Sequence, residues 1–222
     1  MEQTKHAVLL GATGLIGRHV LERLLASPAY DTVTAVVRKP LTEHPKLRQI
    51  VLEHFDAMPA DAFEGAEDVF CALGTTMKQA RTREKFRQVD HDYPLAAAER
   101  AKAAGVKRYL LVSAMGADPA SKIFYNRVKG ETEADIRALQ IPMLTIVRPS
   151  LLLGQRERLR LGETFAEWLS RPLSPLFRGP LFKYRPIEAA AVAAVLVRAA
   201  QMYTPGTHVY ENDQLHRMAP NS

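Results

Sequence analysis

Tyr125 and Lys129 are the side chains whose types and spacing most directly suggest chemistry. They lie four residues apart, on one face of a helix that the sequence pattern predicts over 125–139. An ammonium at that distance stabilises a phenolate, so the phenol can pass a proton to or from a substrate oxygen. Ser113, at the end of a predicted strand, could hold a substrate carbonyl beside the phenol. An ordinary surface contact between Tyr125 and Lys129 is the alternative interpretation.

A glycine pattern near the start of the chain indicates the binding of a phosphorylated ligand. Gly11, Gly14 and Gly17 have the spacing GxxGxxG directly after the apolar run 7–10, and a helical pattern follows over 15–26. Glycines in this position permit a tight turn and a close approach to a pyrophosphate, while the helix N-terminus offers unpaired N–H groups. The residues predicted to contact a dinucleotide here are Gly11, Thr13, Gly14, Leu15, Ile16 and Gly17. The alternative is a tight turn that binds no ligand.

Arg38 and Lys39 bear on which dinucleotide is bound. They follow the apolar run 32–37, about 20 residues past the last glycine, where an acidic residue would accept the ribose 2′-hydroxyl of NAD. A guanidinium can bind a 2′-phosphate with two hydrogen bonds and stack on adenine, whereas a carboxylate would repel the phosphate. The pair therefore favours NADP(H), and the alternative is that both residues form only a solvated strand end.

The elements that must position these residues alternate between strands and helices. Apolar runs of strand length recur at 7–10, 32–37, 69–73, 109–113 and 143–147, and helical patterns occupy 15–26, 84–104 and 125–139. Continuous hydrophobicity within a run indicates burial on both faces, as a parallel sheet between two helix layers requires. The order predicts an α/β fold with a doubly wound, mostly parallel Rossmann sheet.

The stretch 151–185 differs in composition from the chain before it. It combines Arg and Pro with large apolar residues, including Phe165, Trp168 and Phe177. We interpret it as a small C-terminal lid, followed by a helix over 187–202 and a short strand near 208–210. We expect residues 1–222 to form a single domain in which 151–185 is the substrate segment.

Composition restricts the classes of protein to which the chain can belong. Its 222 residues include 30 Lys+Arg against 24 Asp+Glu, for a net charge of +6, and a single Cys. One Cys cannot build an internal disulfide framework, and the His residues lack metal-ligand spacing, so we expect no metal site. The first apolar run breaks at Gly11, too early for a signal peptide or a membrane span, so we expect a cytoplasmic protein.

Positive charge is concentrated in two parts of the chain, at 78–87 and within 156–185. A polyanion surface would need a basic stripe with interleaved aromatic residues, and this is not present outside the predicted lid. We therefore expect no nucleic-acid partner and interpret the two clusters as a positive rim that attracts a phosphorylated dinucleotide.

Seven segments carry a resemblance to a known family: GATGLIGRHVL, VVRKP, FCALGTTMKQA, VDHDY, LLVSAMGAD, FYNRVKGETEA and IVRPSLLLG. Over about 8–154 the chain resembles the atypical branch of the short-chain dehydrogenase/reductases that includes the Tat-interacting-protein oxidoreductases. The resemblance implies an NADP(H)-binding Rossmann fold with Tyr125 as acid/base, Lys129 on the nicotinamide ribose and Ser113 orienting the substrate. It also implies further cofactor contacts at Leu73, Gly74 and Thr75, at the end of the apolar run 69–73, and at Pro149 and Leu151 near the nicotinamide.

The leading functional hypothesis is an NADP(H)-dependent oxidoreductase that reduces a carbonyl, or oxidises an alcohol, of a small and largely apolar substrate. The alternative is an NADP(H)-binding regulatory or scaffold protein with little or no catalysis, whose lid contacts a protein partner. The two hypotheses share the cofactor and differ in turnover.

Overall fold

The computed structural model describes residues 4–154 and 179–219, and its strands form the frame of the fold. In chain order they are β1 (Lys5–Leu10), β2 (Tyr30–Val37), β3 (Leu47–Val51), β4 (Asp68–Cys71), β5 (Arg108–Val112), β6 (Met143–Arg148), β7 (Leu152–Leu153), β8 (Ile187–Glu188) and β9 (Gly206–Glu211). Seven of these strands form one parallel sheet in the order β3-β2-β1-β4-β5-β6-β9. The short strands β7 and β8 pair with each other separately.

Helices connect the strands and cover both faces of the sheet. They are α1 (Gly17–Ala26), α2 (Met77–Ala80), α3 (Arg83–Arg87), α4 (Tyr93–Ala103), α5 (Phe124–Ala138), α6 (Ala189–Ala199) and α7 (Asn212–Met218). A π-helical turn, Gln88–Asp92, joins α3 to α4, and 3₁₀ segments lie at Phe55–Ala57, Ala60–Phe63 and Gly179–Tyr184. Over 4–154 and 179–219, no helix combines the length and the hydropathy that crossing a membrane requires.

Two apolar layers enclose the sheet. On one face α1 and α6 pack against alternate strand residues, and Leu9, Val20 and Leu196 are buried there. On the other face α4 and α5 pack against the intervening strand residues, among them Leu10, beside Ile136 of α5. Each Leu, Ile or Val removed from water in this way contributes about 1.5–3 kcal/mol. Burial on both faces confirms the predicted parallel α/β sheet and explains why its central strands have continuous apolar runs.

The strand order reverses between β1 and β4. From β1 the chain proceeds to β2 and β3 on one side of the sheet, and then returns to β4, β5 and β6 on the other. In open α/β sheets, ligands bind at such a reversal, outside the carboxyl ends of the strands. The glycine loop follows β1, residues 72–76 follow β4, and Ser113 follows β5, so the fold brings all three to this crevice.

The structure differs from the prediction in two helices and leaves one segment untested. The predicted helix 84–104 is interrupted by the π-helical turn at Gln88–Asp92, which inserts an extra residue and buries both Asp90 and His91. The predicted helix 187–202 begins later, at Ala189, because Ile187 and Glu188 pair with β7. Within the predicted lid, residues 155–178 lie outside the described residues.

Candidate functional site

The glycine loop packs where a side chain has no room. Gly11 has a φ of +84°, and a Cβ at this position would lie 2.5 Å from the carbonyl oxygen of Ala72. A Cβ on Gly17 would overlap the carbonyl oxygen of Gly11. The N–H of Gly14 donates to that same oxygen at 2.9 Å and closes the turn. The glycines therefore let the chain pass tightly from β1 into α1 and place the start of α1 at the crevice.

A cleft of about 850 Å³ occupies this crevice. Small-molecule and cofactor sites commonly measure roughly 300–1,000 Å³. The predicted site residues that line it are Thr13, Gly14, Leu15, Ile16, Leu73, Gly74, Thr75, Ser113, Tyr125 and Lys129. One cleft thus joins the glycine loop to all three residues of the predicted proton-transfer set.

The other predicted site residues lie beside the cleft rather than in its lining. Arg38 and Lys39 are exposed immediately after β2. The carbonyl of Pro149 accepts the N–H of Met115 at 2.9 Å, and the carbonyl of Leu151 accepts the N–H of Ile187 at 3.0 Å. Gly11 and Gly17 pack against the backbone of Ala72 and of Gly11, respectively, and do not line the cleft. Cofactor contacts at these six positions, as at the positions that line the cleft, stay predictions.

Lys129 is held by a buried carboxylate. Its Nζ lies 2.8 Å from Oδ1 of Asp90, and the two side chains are only 8% and 1% exposed. The other carboxylate oxygen of Asp90 accepts the backbone N–H of Thr75 at 2.8 Å. Burial by itself lowers the pKa of Lys129, but the charge of Asp90 and smaller contributions from Tyr125 and Cys71 leave this pKa raised. Lys129 is therefore an ammonium at neutral pH, with a carboxylate beside it.

Tyr125 lies in the first turn of α5 and is braced by a second aromatic ring. The ring of Phe86 lies 5.5 Å from that of Tyr125 at an interplanar angle of 52°. Phe86 is fully buried and also contacts Phe124, at 5.7 Å between ring centroids. Tilted aromatic contacts of this kind favour a defined ring orientation. The aromatic cluster therefore limits how far the phenol can swing within the cleft.

Ser113 forms a short hydrogen bond with a residue that the sequence analysis did not single out. Its Oγ donates to Oε1 of Glu133 at 2.5 Å, and Glu133 is fully buried. Arg148 and Arg137 donate to the same carboxylate. Tyr125, Lys129 and Glu133 follow one another at intervals of four along α5, so they share one face of the helix.

Three residues of the site were thus missed at the level of sequence: Asp90, Glu133 and Arg18. Asp90 lies within VDHDY, where the π-helical turn, which hydrophobic periodicity does not reveal, directs it toward Lys129. Glu133 could have been found, because it continues the spacing of Tyr125 and Lys129 by another four residues. Arg18 lines the cleft, and its Nε is buried without a hydrogen-bond partner.

Comparison with known proteins gives matches over most of the chain. A family described as NAD(P)H-binding matches residues 11–202. Protein FMP52-1, mitochondrial, from Scheffersomyces stipitis is 38% identical over 201 residues, which cover 88% of this chain and 88% of that protein. Protein HTATIP2 from Rattus norvegicus is 38% identical over 174 residues, which cover 76% of this chain and 70% of that protein. The family resemblance found in the sequence is confirmed.

Among solved structures, MoeE5 in complex with UDP-glucuronic acid and NAD superimposes with a TM-score of 0.71. The match covers 92% of this chain and 75% of that one at 19% identity. At this identity the likeness supports the Rossmann-like fold alone.

The expectation of a cytoplasmic protein is wrong. The fungal relatives named FMP52 are called mitochondrial, which points to mitochondria rather than to the cytoplasm. The early break of the first apolar run at Gly11 bears only on secretory signals and membrane spans, both of which need a long apolar segment. Mitochondrial targeting segments are instead amphipathic and rich in Arg and Ser, so an apolar run cannot reveal them.

Proposed function

The chain belongs to the NAD(P)H-binding family, in the branch of atypical short-chain dehydrogenase/reductases that includes HTATIP2, and from this premise we propose an NADP(H)-dependent oxidoreductase. The proposed reaction is reduction of a carbonyl, or oxidation of an alcohol, on a small and largely apolar substrate. The observation that carries this proposal is the single cleft that joins the glycine loop to Ser113, Tyr125 and Lys129.

The residues present fit a phosphorylated dinucleotide. The glycine loop offers a backbone surface that a Cβ at Gly11 or Gly17 would destroy. Arg18, in the first turn of α1, has a buried Nε with no partner, and a phosphate would supply an acceptor for it. Arg38 and Lys39 are solvent-exposed directly after β2, where they would contact the 2′-phosphate of bound NADP(H). These cations are our reason for proposing NADP(H) over NAD(H).

The proposed chemistry divides between cofactor and protein. When bound, the nicotinamide supplies a hydride to the substrate carbon or receives one from it. In the direction of reduction, Tyr125 donates its phenolic proton to the carbonyl oxygen, so that an alcohol forms. The ammonium of Lys129 stabilises the phenolate that remains, and Asp90 holds the ammonium in place. In the direction of oxidation, the phenolate accepts the alcohol proton.

The proposal is tested by comparing the wild type with Tyr125→Phe. Titration of nicotinamide fluorescence is expected to show binding of NADPH to both proteins, more tightly than NADH. With a panel of aldehydes and ketones, the wild type is expected to oxidise NADPH, followed at the nicotinamide absorbance, and Tyr125→Phe is not. Tyr203→Phe, which removes the hydroxyl of an exposed tyrosine outside the cleft lining, is the matched control and should turn over like the wild type.

Two outcomes would contradict the proposal in different ways. Undiminished turnover by Tyr125→Phe would eliminate the phenol as the acid. Tight NADPH binding with no turnover by the wild type across the panel would favour the alternative, an NADP(H)-binding regulatory or scaffold protein.

A further inference from the structure

We infer that Ser113 faces the substrate as a hydrogen-bond acceptor, and that Glu133, as a positioning residue, keeps it in this role. The site would then favour substrates with a hydroxyl or N–H donor close to the reacting carbonyl. This inference rests on the proposed function, because it takes the end of the cleft at Ser113 to be the substrate end.

The carboxylate of Glu133 is saturated with donors. Oε1 accepts from Oγ of Ser113 at 2.5 Å and from Nε of Arg148 at 2.9 Å. Oε2 accepts from Nη2 of Arg148 at 2.6 Å and from Nη2 of Arg137 at 2.8 Å. A carboxylate offers about four lone-pair positions, and four donors occupy them here. Glu133 is fully buried, so no water competes for these positions.

Glu133 acts as an acceptor only, because four donors already occupy its lone-pair positions. Arg148 and Arg137 bring two guanidinium groups to the carboxylate, and Arg148 also pairs with Glu211 at 2.8 Å. Hydrogen bonds to Glu133, and then to Glu211, raise the pKa of Arg148 although burial opposes this. Guanidinium groups have no acceptor to offer, so the only proton available for the contact between Ser113 and Glu133 is that of the serine hydroxyl.

This arrangement fixes what Ser113 can offer to the cleft. A hydroxyl has one proton and two lone pairs. Since the proton is donated to Glu133, the lone pairs are what remain for a ligand. The Oγ–Oε1 distance of 2.5 Å is typical of a charge-assisted O–H···O⁻ bond, which is stronger than a bond to a neutral substrate carbonyl. A plain ketone would therefore receive its hydrogen bond from Tyr125 alone, whereas a ligand with its own donor would also bind Ser113.

The inference is tested with two matched ketones, 2-hydroxy-2-methylcyclohexanone and 2-methylcyclohexanone, in the presence of saturating NADP⁺. The oxidised cofactor cannot reduce either ketone, and the tertiary alcohol has no carbinol hydrogen that could be removed as a hydride. Ligand-observed NMR competition gives the ratio of their affinities. For the wild type, the hydroxyketone is expected to bind at least threefold tighter. Ser113→Ala removes the acceptor and should bring the two affinities to within twofold of each other.

Glu133→Gln separates a positioning role from a structural one. The amide keeps the shape of the carboxylate. With its oxygen in the place of Oε2 it retains Nη2 of Arg148 and of Arg137, while its N–H₂ in the place of Oε1 faces Ser113 and gives up the contact with Nε of Arg148. The serine then accepts from the amide and is free to donate into the cleft, so the preference should shift toward 2-methylcyclohexanone. Glu131→Gln is the matched control, because Glu131 lies on the same helix but pairs with Arg87; it should retain the wild-type ratio.

The outcomes distinguish the inference from the proposed function on which it rests. Failure of the wild type to bind NADP⁺ would contradict the proposed function. With NADP⁺ binding intact, equal affinities, a preference for 2-methylcyclohexanone, or no binding of either ketone by the wild type would overturn the inference. If Glu133→Gln does not fold, Ser113→Ala still decides, since a wild-type preference that survives in this variant overturns it too.

Discussion

The buried ion pair between Asp90 and Lys129 is where an isosteric substitution should have a large effect. We predict that Asp90→Asn lowers the free energy of unfolding by about 3–5 kcal/mol, the usual cost of removing one partner from a buried pair. For a chain of this length each kcal/mol lowers Tm by about 2–4 °C, so Tm should fall by about 6–20 °C.

The structure supplies the reason for so large an effect. The two side chains are only 8% and 1% exposed, so water cannot solvate the ammonium that Asp90→Asn leaves behind. Asp90 also accepts the N–H of Thr75 at 2.8 Å through its second oxygen. An asparagine has one oxygen for these two donors, so either Lys129 or Thr75 would face an N–H₂ group. Residues 72–76, which follow β4 and line the cleft, could then lose the hydrogen bond from Thr75 that holds them to residue 90.

The loss of unfolding free energy caused by Asp90→Asn should depend on pH, in a direction set by the pKa of Lys129. In the wild type, Asp90 raises the pKa of Lys129 above its ordinary value of 10.5, so this stabilisation is complete below that value and is lost as pH rises through the folded one. In Asp90→Asn, Lys129 stays buried but loses the negative charge beside it. The pKa of Lys129 should therefore fall below the ordinary value. The unfolded variant then binds more protons than the folded one, so the difference in unfolding free energy between variant and wild type should narrow as pH rises toward 10.5.

Urea denaturation, followed by circular dichroism at several pH values, provides the measurement. Asp92→Asn is the matched control: Asp92 lies on the same π-helical turn, is 54% exposed and pairs with His91, so its loss should cost less than about 1 kcal/mol. The double variant Asp90→Asn with Lys129→Met removes both charges and should be more stable than Asp90→Asn alone. Equal deficits for the two single variants, or no recovery in the double variant, would refute the reasoning.

Two further predictions concern cofactor binding. Gly17→Ala should weaken NADPH binding at least tenfold in a fluorescence titration, because its Cβ would overlap the carbonyl oxygen of Gly11. Gly105→Ala is the control: it has nothing within 4 Å of the added Cβ and should leave NADPH binding unchanged. NADPH affinity should fall more steeply with ionic strength than NADH affinity, since the Debye length shrinks from about 10 Å at 0.1 M salt to about 3 Å at 1 M. Parallel slopes for the two cofactors would argue against a positive rim that recognises the extra phosphate.

The fold could be predicted from the sequence because its determinants are local and repetitive. The apolar runs that become β1 and β5 are buried on both faces, and each is followed by a helical pattern, which leaves few arrangements other than a doubly wound sheet. The edge strand β3 gives a weaker signal in the sequence. Leu47–Val51 is only half-buried, so its apolar residues are interrupted by polar ones and form no continuous apolar run. The start of α6 was misplaced because β8 depends on pairing with β7, which is distant in sequence.

The site residues likewise divide into those that local sequence patterns predict and those that depend on contacts distant in sequence. The GxxGxxG spacing and the four-residue interval between Tyr125 and Lys129 are local patterns, and the structure brings both to one cleft. Asp90 and Glu133 act through contacts across 39 and 20 residues of chain, respectively, which sequence periodicity does not encode. Asp90 depends in addition on the π-helical turn, whose extra residue alters the face on which it would otherwise lie.

The position of α5 connects stability to chemistry in this protein. Tyr125, Lys129 and Glu133 share one face of the helix, but only Lys129 and Glu133 are tied by buried charge, to Asp90 after β4 and to Arg148 at the end of β6. Substitution of Asp90 leaves the buried ammonium of Lys129 without its carboxylate, and substitution of Arg148 leaves the buried Glu133 with Arg137 as its remaining guanidinium partner among its described contacts. We therefore expect the larger loss of stability at Asp90. Tyr125 has no buried ion pair among its described contacts, so Tyr125→Phe should cost little stability, and under the proposed function it should abolish turnover. A variant series along this face should thus separate the group that is proposed to transfer the proton from the groups that hold it in place.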